Sequence, residues 1–117
     1  MIKGKDIRKI LSIAVESRVL IITGTDDEAR VIRHETADFV LGYISSELNV
    51  RVHSEGVNIG ALDPILVYSL SKWNNVKRAY PFRGVLIVTD KNISGINNIA
   101  AGTKRLLLHL ERNEKNG

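Results

Sequence analysis

The run Val85-Leu86-Ile87-Val88 is unbroken apolar sequence, closed abruptly by Thr89-Asp90-Lys91-Asn92. A strand buried on both faces reads this way, with polar residues gathered at its C-terminal end. Upstream, Val19-Leu20-Ile21-Ile22 followed by Thr23-Gly24-Thr25 has the same pattern. Two such strands predict the heart of a layered α/β domain.

Between and around them the apolar period changes. Ile7, Ile10, Leu11 and Ala14 recur at helical spacing and predict a helix over residues 6–16. Thr25-Asp26-Asp27-Glu28 has the form of a capping box, with acids suited to a helix N-terminus. Two readings follow. In one, a long helix runs from 26 to about 48. In the other, residues 26–36 hold a turn and the second strand of a hairpin, and the helix starts after Thr36. The long helix is the preferred reading. Ala37, Val40, Leu41, Ile44 and Leu48 form one helical stripe in both.

Alternation over residues 49–54 predicts a short strand, and the glycines of residues 55–62 predict a loop. Asp63-Pro64 then has the order of an N-cap followed by a first helical residue. It predicts a helix through Ile65, Leu66, Tyr68, Leu70 and Trp73, ending near Asn74-Asn75. Residues 76–83 read as a connector. Ser94 caps an expected last helix with Ile96, Ile99, Thr103, Leu106, Leu107 and Leu110 inward. The resulting α-β-α-β-α-β-α order predicts a three-layer Rossmann-like domain, with a small, mostly parallel sheet and helices on both faces. It is expected to span 1–117 as a single domain, with residues 113–117 as a frayed tail.

Composition narrows this picture. A chain of 117 residues that is 44% hydrophobic can bury one core without metal or disulfide staples. Cysteine is absent, which excludes disulfides, thiolate metal sites and thiol nucleophiles and fits a cytoplasmic location. No apolar run reaches the roughly 20 residues needed to span a bilayer, so no membrane partner is expected, and the N-terminus does not read as a signal peptide. The net charge of +4 is unevenly spread: +3 over residues 1–25, −5 over 26–63 and +6 over 64–117. A basic C-terminal half suits a polyanionic partner such as nucleic acid, and equally a solvated charged surface.

Ligands of open parallel sheets bind outside the C-terminal strand ends. Those ends would gather Asp26, Asp27, Glu55 and Asp90 as acids and Lys91 as a cation. Carboxylates placed so could hold Mg²⁺, with Asp26, Asp90 and Lys91 as the catalytic candidates. The alternative is that these acids only cap helices and turns. Neither G-x-G-x-x-G nor G-x-x-x-x-G-K-[ST] is present, and Asp26-Asp27 would repel a phosphate, so a nucleotide triphosphate site is not expected. His34, His53 and His109 share no metal spacing, and no serine sits in G-x-S-x-G.

The alternation, with acids after two strands, resembles the Toprim metal-dependent nucleic-acid fold. That family places a Glu at the end of the first strand and D-x-D after a later one. Here Thr23-Gly24 and Asp90-Lys91-Asn92 stand in those places, so the resemblance does not extend to its catalytic acids.

The stretch 72–83 is the most informative polar segment. It holds four cations, no acid and three of the six aromatic residues. Lys72, Lys77, Arg78 and Arg83 could neutralise phosphates while Trp73 and Tyr80 stack on bases, with Lys104 and Arg105 as helpers. Alternatively, Trp73 and Phe82 plug the core and the cations face water. Three functions stay open: a nucleic-acid-binding module, a divalent-metal-dependent enzyme acting on phosphate esters or nucleic acid, and a non-catalytic interaction domain, including a homo-oligomer.

Overall fold

The computed structural model describes residues 4–76, 84–89 and 104–107. Its centre is β1 (Val19–Thr23). This strand runs parallel to β4 (Ile65–Ser69) on one side and β5 (Val85–Val88) on the other. The antiparallel hairpin of β2 (Val50–His53) and β3 (Gly56–Ile59) adds to β4, giving the order β2-β3-β4-β1-β5. The four-residue strand β6 (Lys104–Leu107) lies parallel to β5. Among the described residues the sheet is therefore mixed, with three parallel pairings and two antiparallel ones.

Side-chain alternation divides the core into two layers. Val19, Ile21, Ile65, Val67 and Ile87 face one side. There α1 (Gly4–Glu16) supplies Ile7, Ile10 and Ala14, and α2 (Asp26–Phe39) supplies Ala29, Ile32 and Ala37. Leu20, Ile22, Leu66, Tyr68, Leu86 and Val88 face the other side, where α3 (Leu70–Val76) inserts Trp73. Every residue of β1 and β4 is buried, as strands covered on both faces must be. Ile87 is 0% exposed, as its apolar run predicts.

The long-helix reading of residues 26–48 holds through Phe39, and the hairpin reading does not. Thr25 caps α2: its hydroxyl accepts from the Glu28 backbone N–H at 3.1 Å, and Glu28 Oε1 accepts from Gly24 N–H at 3.0 Å. The next turn, Val40–Ile44, is π-helical, and this changes which residues face inward. Val40 is buried but Leu41 and Ile44 are 38% and 47% exposed, so the expected stripe is split.

Three sequence expectations are corrected. Residues 55–62 are not wholly loop, because β3 pairs there with β2 and β4. Gly56 looked like a loop residue, yet it serves a close backbone approach: a Cβ on it would overlap the carbonyl oxygen of Ile65. Residues 65–69 are strand, not helix. Asp-Pro opens helices, but Pro also precedes strands, and a short apolar run buried on both faces carries no distinguishing period. The helix itself starts only at Leu70. Last, residues 104–107 are strand where a helix was expected. The rest of that expected helix, and the tail 113–117, lie outside the described residues. No described helix is long and apolar enough to cross a membrane.

Candidate functional site

The register of β1 on β4 sets Thr23 beside Ser69, so the C-terminal ends of two parallel strands lie level. Each strand turns at once into a helix. After β1, buried Thr23 donates its hydroxyl to the Thr25 carbonyl at 2.8 Å, and α2 starts at Asp26. After β4, α3 starts at Leu70, with Lys72 N–H donating to Ser69 Oγ at 3.1 Å. The Ser69 hydroxyl in turn donates to the Asp26 carboxylate. One hydrogen bond thus ties the two strand-to-helix junctions together.

On the other flank, β3 stops short. It pairs with β4 only through Gly56 and Val57. Beyond that, Val67 N–H donates to the Glu55 carbonyl at 2.9 Å, and the Val67 carbonyl accepts from Arg33 Nη1 at 3.0 Å. The guanidinium of α2 takes the place of a strand neighbour. A buried or half-buried carbonyl needs such a partner. The gap left beside β4 is a cleft of about 170 Å³, whose polar walls are Asp26, Arg33, Ser54, Ser69 and Lys72.

Electrostatics in this cleft are asymmetric. Burial pushes the Arg33 guanidinium below its ordinary value; Asp26 counteracts this and Arg30 adds to it. An arginine remains cationic regardless. Two cations and one carboxylate therefore face the same space. Arg33 and Lys72 can only donate hydrogen bonds, Asp26 only accepts when ionised, and Ser54 and Ser69 can do both.

The sequence candidates scatter around this geometry. Asp26 and Lys72 meet in the cleft. Asp27 instead pairs with Arg30 on the α2 surface at 2.6 Å, both side chains being largely exposed. Glu55 sits exposed in the β2–β3 turn, its backbone N–H donating to His53 Nδ1 at 3.3 Å. With Nδ1 accepting, His53 carries its proton on Nε2, which donates to Asn58 Oδ1 at 3.2 Å. This histidine orders the hairpin. Trp73 is 2% exposed, and its ring tilts against Tyr68 at 5.9 Å. A base-stacking role for Trp73 is therefore corrected to a core role. Lys77, Arg78, Tyr80, Arg83, Asp90 and Lys91 lie outside the described residues. Among the described residues, no group of three or more His, Asp or Glu side chains could hold a metal ion.

Arg33, Ser54 and Ser69 were not singled out from the sequence as site residues. Ser69 fell inside the stretch expected to be helix, and no pattern in the sequence marked Arg33. Only the register of β4 brings them to one place.

The chain is 40% identical over 73 residues to a sugar fermentation stimulation protein homolog of Chelativorans sp. (strain BNC1). The shared segment covers 60% of this chain and 31% of that protein, so the likeness spans under a third of the relative's length. No protein-family model and no solved structure matches the chain.

Proposed function

We propose that the chain is a nucleic-acid-binding α/β domain that engages the phosphate backbone at the cleft beside β4. One observation carries this reading: Arg33 and Lys72, from two helices far apart in sequence, line the same cleft with the hydroxyls of Ser54 and Ser69. Cations and hydroxyls are the side chains that hold phosphate oxygens. Lys72 also begins the segment 72–83, which holds four cations and no acid. Lys77, Arg78 and Arg83 would continue the phosphate track, Tyr80 would stack on a base, and Lys104 and Arg105 would assist. The partial relative is named for stimulating a process rather than for a reaction step. Nucleic-acid binding is one direct way to regulate a process.

Fluorescence anisotropy with labelled single-stranded DNA and RNA tests it. Binding at physiological salt should be at least as tight as the ordinary non-specific range of about 10⁻⁴ to 10⁻⁶ M. Weaker binding to both polymers would end this reading.

A second reading draws on Asp26, whose carboxylate lies in the same cleft. With Asp90 it would hold a divalent metal, and Lys91 would supply a cation, in a site acting on phosphate esters. Mg²⁺ or Mn²⁺ at millimolar concentration should then raise the melting temperature by mass action. An unchanged melting temperature would remove this reading and leave the first intact.

A further inference from the structure

Among the described residues, five large hydrophobic side chains are exposed, and four of them fall within one short stretch: Leu41, Tyr43, Ile44 and Leu48. Tyr43 is 73% exposed. The π-helical turn Val40–Ile44 gives only Val40 to the core. Scattered exposed apolar residues are ordinary, whereas a cluster of them marks an interaction surface. Gly42 lies in the middle of this turn, where glycine is destabilising relative to alanine. Its φ is not positive, so the backbone conformation does not require it. A Cβ on it would meet open space, so no close contact inside the chain requires it either. A glycine with neither reason suits a close approach from outside.

The two ends of this surface carry opposite charge. At one end α1 lies against Phe39: a Cβ on Gly4 would overlap the ring edge, and the Arg8 guanidinium sits 5.2 Å from the ring centroid. Tyr43 packs on the same ring at 4.9 Å. At the other end Leu48 reaches Gly60, just past β3, and the exposed Glu47 adjoins it. Because α1 packs over β1 and the β2–β3 hairpin lies beyond β4, these ends are on opposite flanks of α2. A face with a cation at one end and an anion at the other is complementary to itself, since a two-fold axis through its middle sets each end against its opposite.

We infer that the 41–48 turn is the interface of a homodimer, in which a second copy packs its own turn across a two-fold axis near Gly42. Arg8 of each copy then faces Glu47 of the other, while Leu41, Tyr43, Ile44 and Leu48 leave water together. The inference stands independently of the nucleic-acid-binding reading.

Equilibrium sedimentation of the full chain at low ionic strength tests it. At about 100 μM, well above the micromolar end of the affinity range of specific interfaces, the mass should be twice 13.0 kDa. A mass of 13.0 kDa there overturns the inference. Gly42→Arg should keep the urea midpoint, because the new side chain meets no neighbour, and should weaken the dimer at least about tenfold. A folded Gly42→Arg chain that dimerises as before places the contact elsewhere and overturns the inference. Arg8→Glu and Glu47→Arg, each alone, set like charges opposite and should weaken the dimer by about tenfold. Mixed in equal amounts, the two variants should form a heterodimer as tight as the unmutated dimer, because both contacts are again opposite in sign. Damage to folding could not be repaired by mixing, so this arm holds whatever each substitution does to stability. A mixture no tighter than either variant alone overturns the two-fold pairing.

Discussion

The Ser69 hydroxyl, at the end of β4, donates to the Asp26 carboxylate, at the start of α2, 43 residues away in sequence. Ser69 is 2% exposed and also accepts from Lys72 N–H, so its oxygen serves two elements at once. Ser69→Ala should therefore cost about 1.5–3 kcal/mol, as loss of a hydrogen bond to a charged group does. Urea denaturation measures it. A loss under about 0.5 kcal/mol would mean the junction is not held by this bond.

Ile87→Ala should cost on the order of 2–5 kcal/mol, because the side chain is wholly buried in the core layer to which α1 and α2 contribute. A domain with a typical stability of about 5–15 kcal/mol would lose a large part of it. A chemical denaturation curve showing less than about 1 kcal/mol would contradict the central place of β5.

Gly56→Ala should be more damaging than its small size suggests. The added methyl would overlap the Ile65 carbonyl oxygen, which is backbone and cannot swing aside. The β3–β4 pairing is short, confined to two residue pairs, so it has little to absorb the displacement. We expect a loss above about 3 kcal/mol, at the large end for single substitutions, together with faster amide exchange in the hairpin. Unchanged exchange would show that the hairpin is not held by this close approach.

These cases explain how much of the molecule was legible in its sequence. β1 and β5 were, because a short apolar run ending in Thr is hard to place anywhere but in a covered parallel strand. The start of α2 was legible because capping chemistry is local: Thr25 and Glu28 meet within one turn. β4 was not. Asp63-Pro64 carries a real helix signal, and only pairing with β1, 46 positions upstream in register, decides for strand. β3 was hidden because the reason for Gly56 is the backbone of Ile65, which no local pattern reveals. The cleft was half legible for the same reason. Asp26 stood out as an acid after an apolar run and Lys72 as the start of a basic segment, whereas Arg33 matters because β3 ends too soon to cover Val67.

Thr25→Ala removes the hydroxyl that accepts from Glu28 N–H. The expected cost is about 1 kcal/mol, within the usual range of about 0.5–2 kcal/mol for an N-cap. Because Asp26 follows the cap directly, the same variant should loosen the cleft. Hydrogen exchange at the first turn of α2 should rise, and a protected first turn in the variant would contradict the capping assignment.

The central claim is that the cleft beside β4 holds a nucleic-acid phosphate, and the salt dependence of binding tests it most directly. The slope of log K against log salt should be measured by anisotropy for the unmutated chain and for Lys72→Ala, on one labelled single strand. Lys72 is exposed at the cleft, so its removal should leave the fold intact. If Lys72 neutralises a phosphate, affinity should fall for every sequence tested, and the slope should become shallower by about 0.7. Identical slopes and affinities for the two proteins would contradict the claim and place the phosphate, if one is bound, away from this cleft.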